Sequence, residues 1–418
     1  MRLLYDLGIF LYGTLLRLIA PFHAKAKLWV AGRKGLLKQI NQTVDSNQKH
    51  IWFHFASLGE FEQGRSVMEQ IKQRYPEEKI IVTFFSPSGY EIRKNTDLAD
   101  YVFYLPDDTA ANARKFLDAI NPKLAIFTKY EYWYHYFDAL EKRGIRLLMI
   151  SAIFREEQLF FKRHGGFYRR ILKKVSFFFT QNMESVHMLK WIGITKVGLA
   201  GDTRFDRVVE LPKTHKAIEQ AKEFVGDKRV LVGGSTWPAD EELIKDLLSR
   251  YPDWKAIIAP HEIHDEHIAQ LMKLFPSALR FSKFGTYAAE EIAREQVLII
   301  DNIGMLSSLY YYGDIAYIGG GFGAGIHNTL EGATYGMPVI FGPKYEKFKE
   351  AMDLVELGAG FPISSKEELE HIFAALQEPE KLKLAGESAK KYVHTRSGAT
   401  QIIMKYLETE KLIGENGS

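Results

Sequence analysis

The sequence predicts an α/β protein made of two Rossmann-like domains, each a parallel sheet covered by helices on both faces. Short apolar runs alternate with helix-like intervals, which is typical of parallel sheets. The alternation restarts near residue 229, and 418 residues correspond to two or three domains. A ligand is therefore expected in the cleft between the domains, at the carboxyl ends of the strands.

Eleven runs are predicted strands because they have strand length and are rich in β-branched or aromatic residues. The predicted strands are 51–57, 79–85, 124–130, 145–152, 175–182 and 196–201 in the first half, then 229–235, 254–260, 296–301, 315–321 and 338–342 in the second. Helical periodicity is clear at 62–75 and 241–251, and 208–226 is helical or linker-like. The predicted segments are a membrane-associating helix and basic segment (1–40), an N-terminal domain (41–207), a C-terminal domain (208–410) and a tail (411–418), within which residues 414–418 are expected to be disordered.

Charge is distributed unevenly along the chain. The net charge of +3 combines +6 in residues 1–40 with −3 in the remainder. A slightly acidic body argues against nucleic acid as a partner, since a binding protein of that kind carries a basic face. The absence of cysteine excludes disulfides, thiolate nucleophiles, Fe–S clusters and cysteine-rich zinc sites.

The N-terminal segment predicts an amphipathic helix. One face carries Leu4, Leu7, Leu11, Leu15 and Leu18, and another carries Arg2, Asp6, Gly13 and Arg17. Its uncharged stretch is ten residues long, short of the roughly 20 that a membrane span needs. Two interpretations stay open: a helix packed on its own domain, or an anchor on an anionic bilayer, assisted by Lys25, Lys27, Arg33, Lys34 and Lys38.

Ser57 to Glu60, directly after the first predicted strand, is the first candidate motif. A serine followed three residues later by glutamate is typical of a helix capping box. Alternatively, the Glu60 carboxylate projects into the cleft and accepts a proton from a sugar hydroxyl as a general base. Two other acid or base groups follow strands in the first half: Glu131, which could simply be a first-turn acid, and Arg204, which could simply pair with Asp202 or Asp206.

A glycine-rich loop runs from Gly319 to Gly325 between a predicted strand and a predicted helix. Glycines let backbone approach a ligand closely, and a helix N-terminus attracts phosphate. The GxGxxG spacing of dinucleotide-binding proteins is missing, and a plain tight turn is the alternative. His261 and His264 are three residues apart rather than the four of HExxH, so a ligand-facing loop at 260–267 is favoured over a metal site, with the later histidines exposed on a polar turn.

Eight motifs follow one another in chain order: S-L-G-E (57–60), S-P-S-G (86–89), E-Y-W (131–133), G-D-T-R-F-D (201–206), G-G-S-T-W (233–237), P-H-E (260–262), H-N-T-L-E-G-A (327–333) and P-V-I-F-G-P (338–343). Together they resemble the 3-deoxy-D-manno-octulosonic acid (Kdo) transferases of Gram-negative bacteria. The resemblance covers most of the chain, to about residue 349. It implies a GT-B fold, an N-terminal domain for the acceptor, and a C-terminal domain for the CMP-Kdo donor. It also implies a lipid A precursor (lipid IVA) as acceptor and action at the cytoplasmic face of the inner membrane.

The resemblance also assigns roles by position. Glu60 matches the general base, Glu131 an acid that supports the transition state, and Arg204 a supporting position where lysine is usual. The positions that match contacts to CMP are Pro260 and His261 (usually Pro-Arg), Ile303, Gly304 and Met305 (usually Met-Gly-Glu), and Asn328, Thr329, Leu330 and Glu331 (usually Asn-Pro-Leu-Glu).

The implied reaction inverts the anomeric centre and needs no metal cofactor. A helix N-terminus at Asn328, with Arg204 nearby, would stabilise the charge on the departing CMP. Two alternatives remain: another GT-B enzyme acting on a UDP-sugar, such as an epimerase or glycosyltransferase, and a non-catalytic membrane-peripheral protein that binds a sugar nucleotide. The sequence leaves the oligomeric state open.

Overall fold

A computed structural model describes residues 1–414, and residues 415–418 of the predicted tail lie outside the described residues. The chain divides into two compact units. Unit 1 consists of Met1–Arg207 together with the chain from Ser397 onward, and unit 2 is Val208–Arg396.

Unit 1 contains a seven-stranded sheet in the order β3-β2-β1-β4-β5-β6-β7, with every neighbouring pair parallel. Its strands are β1 (His50–Phe55), β2 (Lys79–Phe84), β3 (Tyr101–Tyr104), β4 (Pro122–Thr128), β5 (Arg146–Ala152), β6 (Phe177–Thr180) and β7 (Val197–Leu199). Its helices are α1 (Arg2–Ile19), α2 (Ala24–Ala31), α3 (Leu36–Thr43), α4 (Leu58–Arg74), α5 (Pro87–Arg93), α6 (Ala110–Ile120), α7 (Tyr134–Lys142), α8 (Gly166–Leu172), α9 (Met183–Trp191) and the C-terminal α20 (Ala399–Thr409), with a 3₁₀ turn at Leu159–Phe161.

Helix α10 (Thr203–Thr214) begins in unit 1 and continues into unit 2. Unit 2 contains a second seven-stranded parallel sheet, ordered β10-β11-β9-β8-β12-β13-β14. Its strands are β8 (Arg229–Thr236), β9 (Trp254–Pro260), β10 (Leu279–Arg280), β11 (Val297–Ile299), β12 (Ile315–Ile318), β13 (Val339–Phe341) and β14 (Gly360–Pro362). Its helices are α11 (Glu219–Val225), α12 (Pro238–Arg250), α13 (Asp265–Leu274), α14 (Ala289–Arg294), α15 (Leu306–Leu309), α16 (Leu330–Thr334), α17 (Lys349–Glu356), α18 (Lys366–Ala375) and α19 (Pro379–Thr395), with 3₁₀ turns at Phe281–Thr286 and Tyr310–Tyr312.

The predicted fold class of two Rossmann-like sheets is confirmed, and every predicted strand is present. Three strands were not predicted: β3, β10 and β14, each at an edge of its sheet. Central strands such as β1 and β9 are buried along their whole length, so they have the continuous apolar character that marks a parallel sheet. The three missed strands have two to four residues and include half-buried positions, so their signal is weak.

The C-terminal segment corrects the predicted domain boundary. Residues 397–410 were assigned to the C-terminal domain, but the structure places them in unit 1. Ile403 and Leu407 of α20 are fully buried in the core of unit 1. The Asp206 carboxylate accepts hydrogen bonds from the backbone N–H groups of Gly398 (2.6 Å) and Thr400 (3.1 Å), which satisfies the start of this helix.

Helix α1 packs on unit 1 through its polar side. The Tyr5 hydroxyl donates to the buried Asp108 carboxylate (2.5 Å), and Asp6 lies 2.6 Å from the His135 ring. Gly13 is buried, and Arg17 pairs with Asp107 at 3.2 Å. The opposite side is left uncovered: Leu3, Leu4, Leu7, Phe10, Leu11, Leu15 and Leu18 are each at least half exposed.

Within residues 1–414, no helix has by itself the length and apolar character of a membrane span. Helices α1 and α2 satisfy those criteria only when taken as a pair, and they are bent by 119° relative to each other.

Candidate active site

The sheet of unit 1 has a switch point between β1 and β4. The chain passes from β1 to β2 on one side, whereas β4 lies on the other side of β1. Loops that leave the carboxyl ends of such a strand pair diverge and form the crevice in which α/β proteins bind ligands. Glu60 follows β1 and Glu131 follows β4, so the structure places both predicted carboxylates at this switch point.

The Glu60 carboxylate lies in the first turn of α4, with Ser57 as the N-cap residue. The Ser57 side chain makes no capping hydrogen bond. Glu60 Oε2 accepts from the N–H of Ala56 at 2.5 Å, one residue before the N-cap. The reciprocal pair of a capping box is therefore not formed, and Glu60 instead accepts from one backbone donor that precedes the helix.

Glu60 is electrostatically unusual because it is only 8% exposed. Burial, and then the nearby negative charge of Glu131, raise the pKa of Glu60 to about 8, against the opposing effects of the Ala56 N–H and Lys129. A carboxyl group that titrates near neutral pH can take up a proton in one step of a reaction and release it in another.

Glu131 is held by two donors that converge on one carboxylate oxygen. Its Oε2 accepts from the Trp133 indole N–H at 2.8 Å and lies 3.2 Å from His54 Nε2. The side chain of Glu131 is 13% exposed, whereas that of His54 is fully buried in β1. Glu131 is thus more than a first-turn helix acid, because α7 begins only at Tyr134 and the loop itself orients the carboxylate.

Arg204 pairs with Asp202, as one of the two sequence interpretations expected. Its guanidinium contacts Asp202 Oδ2 at 2.8 and 3.0 Å, and Asp202 Oδ1 also accepts from the Gln63 amide at 3.2 Å. Burial alone would raise the pKa of Asp202, but the Arg204 charge and its hydrogen bonds outweigh burial and lower that pKa. Asp202 is 6% exposed, so this is a partly buried ion pair rather than a surface one.

Sequence reasoning missed His54 and Lys129. His54 lies inside an apolar strand, where it was counted as part of the run and not as a functional group. Lys129 follows β4 with a φ of 55°, an unfavourable backbone conformation for a residue with a side chain. Its charge lowers the pKa of both Glu60 and Asp202, which places Lys129 near both carboxylates. A lysine directly after a buried strand was the available signal.

In unit 2, three aromatic side chains stack at the carboxyl ends of neighbouring strands. Trp237 follows β8, His261 follows β9 and His327 follows β12. The ring of His261 lies 4.9 Å from that of Trp237 and 4.3 Å from that of His327, both nearly parallel. The Trp237 indole N–H donates to His327 Nε2 at 3.2 Å. Burial, and then the nearby His261, lower the pKa of His327 to about 4, so its ring is uncharged at neutral pH.

The glycine-rich loop combines close backbone packing with positive φ angles. A Cβ on Gly319 would lie 2.2 Å from the Ser235 carbonyl oxygen, and one on Gly321 would lie 2.5 Å from Gly342 Cα. Gly320 has a φ of 92°, and its N–H donates to the buried Asp240 carboxylate at 3.0 Å. These three glycines are therefore required by the close backbone packing and the positive φ angle of this loop.

The segment from Asn328 to Glu331 differs from its expected form. Helix α16 begins at Leu330, not at Asn328, and is five residues long, with Thr329 as its N-cap residue. Asn328 is exposed and bridges the segment: its Nδ2 donates to Glu331 Oε1 (3.0 Å) and its Oδ1 accepts from Leu330 N (3.2 Å). The predicted helix start at Asn328, on which the expected phosphate site depends, is therefore two residues too early. Thr329 and Leu330 are buried and support the loop from below.

The remaining predicted donor contacts occupy loops after β9 and β11. Pro260 is buried at the end of β9, and His261 beside it is exposed. Ile303 is 85% exposed, Gly304 has a φ of 92° and Met305 is the N-cap residue of α15. These three residues follow β11, which neighbours β9 in the sheet.

The histidines after Pro260 have different roles. His264 is exposed and caps α13 through Nδ1, as expected for a polar turn. His267, expected to be exposed, is instead buried and lies 3.0 Å from Glu241 Oε2, because the first turn of α13 faces α12. Over residues 1–414, no group of three or more His, Cys, Asp or Glu side chains is arranged to hold a metal ion.

Comparison with known proteins agrees with this geometry. The family model described as 3-Deoxy-D-manno-octulosonic-acid transferase (kdotransferase) matches residues 30–207. The 3-deoxy-D-manno-octulosonic acid transferase of Aquifex aeolicus is 28% identical over 327 residues, covering 76% of this chain and 83% of the relative. The enzyme of the same name from Rickettsia bellii is 27% identical over 383 residues, or 88% and 89% of the two chains. The chain is thus similar to Kdo transferases over most of its length.

Solved structures share the GT-B fold with this chain. A UDP-GlcNAc 2-epimerase from Neisseria meningitidis is 17% identical, with a TM-score of 0.61 over 86% of this chain and 100% of the other. MurG from Acinetobacter baumannii is 14% identical, with a TM-score of 0.54 over 87% and 100%. At such identities the likeness concerns the fold alone.

Proposed function

We propose that this glycosyltransferase moves Kdo from CMP-Kdo to a lipid A precursor (lipid IVA), with inversion at the anomeric carbon, in lipopolysaccharide core biosynthesis. The observation that carries the proposal is the carboxylate pair at the β1/β4 switch point. There burial and the neighbouring Glu131 carboxylate raise the pKa of Glu60 to about 8.

The proposed chemistry assigns Glu60 the acceptor proton. As an acceptor hydroxyl oxygen bonds to C2 of Kdo, its proton passes to the Glu60 carboxylate, and the C2–O bond to CMP breaks with its electron pair leaving on the phosphate. The cationic character that develops at the anomeric carbon is favoured by the nearby Glu131 carboxylate. In unit 2 the donor nucleotide would contact the loops that carry His261, Gly304 and Asn328.

We also propose that transfer needs no metal ion, because the departing phosphate delocalises its own negative charge. Turnover in the presence of EDTA is then expected to equal turnover without it. A loss of activity that added Mg²⁺ restores would overturn this part of the proposal.

We propose that the enzyme acts at the cytoplasmic face of the inner membrane, held there by α1. The support is its orientation: Tyr5, Asp6 and Arg17 face unit 1, so the leucine-rich side faces outward. Lys25, Lys27, Lys34 and Lys38 are exposed and could contact anionic headgroups. Arg33 is unavailable for that role, because it donates to the carbonyl oxygens of Leu105 and Phe85 and its side chain is 7% exposed.

The transfer proposal is tested with purified protein, CMP-Kdo and a tetraacylated lipid A precursor, with product masses read by mass spectrometry. The masses also count the Kdo residues added. Glu60→Gln should reduce turnover at least 100-fold, an effect typical of losing a general base. Glu69→Gln, on the same helix but 41% exposed, is the matched control and should stay fully active. Glu60→Gln turnover within tenfold of the unmodified enzyme would refute the assignment, and stabilisation by UDP but not CMP would favour a UDP-sugar enzyme.

The membrane proposal is tested by sedimentation with anionic liposomes. Replacing Leu7, Leu11 and Leu15 by serine should weaken binding at least tenfold without unfolding the protein, since these side chains are exposed. Leu384→Ser, at an exposed leucine of α19 in unit 2, is the control. Equal binding by both variants would mean that the anchor lies elsewhere.

A further inference from the structure

A buried polar chain connects β2 to the Glu131 carboxylate. Thr83 of β2 lies beside His54 of β1 in the parallel register. Thr83 Oγ1 is 2.8 Å from His54 Nδ1, and His54 Nε2 is 3.2 Å from Glu131 Oε2. The Trp52 indole N–H also donates to Thr83 Oγ1 at 2.8 Å. Trp52, His54 and Thr83 are all completely buried, so no exposed group competes for these bonds.

The hydrogen-bond donors in this chain determine which His54 nitrogen carries the proton. An indole N–H can only donate, so the Thr83 oxygen accepts from Trp52. The Thr83 oxygen keeps a second lone pair, so its 2.8 Å contact with His54 Nδ1 fits either direction. The alternative acceptor for the hydroxyl proton, the Phe53 carbonyl, is 3.4 Å away and would leave that proton in a poor hydrogen bond, which favours donation to Nδ1. With Nδ1 accepting, the ring proton lies on Nε2 and points at Glu131.

The other neutral tautomer would place the bare Nε2 lone pair against a carboxylate, where two acceptors repel each other. Trp133 already donates to Glu131 Oε2. A second donor on this oxygen stabilises the ionised form of Glu131 and so favours Glu60 as the member of the pair that takes up a proton.

We infer that His54, held as its neutral Nε2–H tautomer by Thr83 and Trp52, is a positioning residue that keeps Glu131 ionised and oriented beside the general base. The kinetic consequence of this inference rests on the proposed function, whereas the assignment of the His54 tautomer does not. His54 acts only through Glu131 and takes no part in bond making.

The inference predicts in which direction the acidic limb of the kcat/KM profile can move. The active form has both carboxylates ionised, and the first proton can bind to either one. Removing the His54 donor makes Glu131 bind that proton more tightly and leaves Glu60 unchanged, so the first protonation can only move to higher pH. The other charged or titratable groups near the pair are Lys129, Tyr130 and Tyr132 of the same loop and Tyr12 of α1. All of them remain in the variants.

The kinetic test compares His54→Phe and His54→Gln with the unmodified enzyme, using kcat/KM for CMP-Kdo and lipid A precursor from pH 5.5 to 9. His54→Phe keeps the ring that packs 4.9 Å from Phe127 but loses both nitrogens. We expect kcat to fall about tenfold or more, with the KM for CMP-Kdo changed less than twofold and the acidic limb, which Glu60 dominates, not moved to lower pH. His54→Gln retains an N–H donor and should restore kcat. His50→Phe, at the other end of β1 and equally buried, is the control that should leave kcat unchanged.

An unchanged kcat in a folded His54→Phe protein would overturn the inference, as would an equal fall of kcat in His50→Phe or an acidic limb that moves to lower pH in His54→Phe. Melting temperatures of all variants establish folding.

A second measurement does not depend on activity. Long-range ¹H–¹⁵N NMR of histidine-labelled protein, with the His54 signals assigned by their loss in His54→Phe, should show Nε2 protonated and Nδ1 bare at pH 7.5. In Thr83→Val, which cannot donate to Nδ1, this preference should disappear. A protonated Nδ1 in the unmodified protein, alone or as imidazolium, would overturn the inference. Failure of the unmodified enzyme to transfer Kdo would instead refute the proposed function and leave the tautomer result standing.

Discussion

Replacing Glu60 by glutamine should stabilise the protein, and the gain should increase with pH. In the folded protein the pKa of Glu60 is about 8, against an ordinary value of 4.5. This gap corresponds to an extra cost of about 5 kcal/mol for ionising Glu60 in the folded state. Glutamine avoids that cost, and its amide oxygen can still accept from the Ala56 N–H.

The sign follows from which state loses its proton first. Below pH 4.5 the carboxyl is protonated in both the folded and the unfolded chain, so the favourable contribution of the raised pKa is fully present. As pH rises, the unfolded chain ionises first, which favours unfolding of the unmodified protein, and above about 8 the contribution is lost. The difference in unfolding free energy between Glu60→Gln and the unmodified protein should therefore grow from pH 4.5 to 8 and then level off.

Urea unfolding at pH 5, 7 and 9, followed by tryptophan fluorescence, measures this difference. Glu69→Gln on the same helix should show a much smaller trend, since the Glu69 side chain is 41% exposed. In a Glu131→Gln background the gain should shrink, because the neighbouring negative charge has been removed. A Glu60→Gln gain that is equal at pH 5 and pH 9 would refute the electrostatic argument.

Three further outcomes are expected. Gly319→Ala should destabilise unit 2 by about 1–3 kcal/mol in thermal unfolding because its Cβ would lie 2.2 Å from a backbone oxygen, whereas Gly323→Ala, 3.5 Å from its nearest neighbour, should be nearly neutral. Asp206→Ala should cost about 1–2 kcal/mol and speed hydrogen exchange in α20, since two backbone donors lose their acceptor; unchanged exchange there would contradict this. His327→Gln should remove a loss of stability between pH 6.5 and about 4, because protonation of this half-buried ring in that range favours only the unfolded chain; identical acid melting curves would argue against it.

Strand positions were predictable because buried parallel strands are continuous apolar runs, and the strand-end rule then placed Glu60 and Glu131 at one edge of a sheet. The strand order could not be predicted from the sequence. The meeting of the Glu60 and Glu131 carboxylates at one switch point was therefore not predictable either. The role of His54 depends on the register that sets it beside Thr83, and register has no local sequence signal in a strand buried on both faces.

The same limit explains the corrections. The stack of Trp237, His261 and His327 joins loops after three strands that are far apart in sequence, so only the tertiary fold reveals it. Arg33 was counted among the surface cations because sequence shows charge but not burial. Helix α20 was assigned to the nearer domain because its apolar face fits a core without indicating which one.

Helix α1 shows how periodicity can be interpreted correctly and still leave orientation open. Amphipathic helices of soluble proteins usually bury the apolar side, but here the buried side carries Tyr5, Asp6 and Gly13. The partners that make this possible are supplied by unit 1: Asp108 accepts from Tyr5 and also from the backbone N–H groups that begin α7, at His135 and Tyr136. Because the backbone N–H groups that begin α7 already hold the Asp108 carboxylate in place, the polar side of α1 can pack here without losing hydrogen bonds. The uncovered leucines are then available to a bilayer, and the helix that receives α1 begins three residues after Glu131. The proposed membrane attachment and the carboxylate pair thus share one structural support, which would keep the proposed active site close to the proposed lipid-borne acceptor.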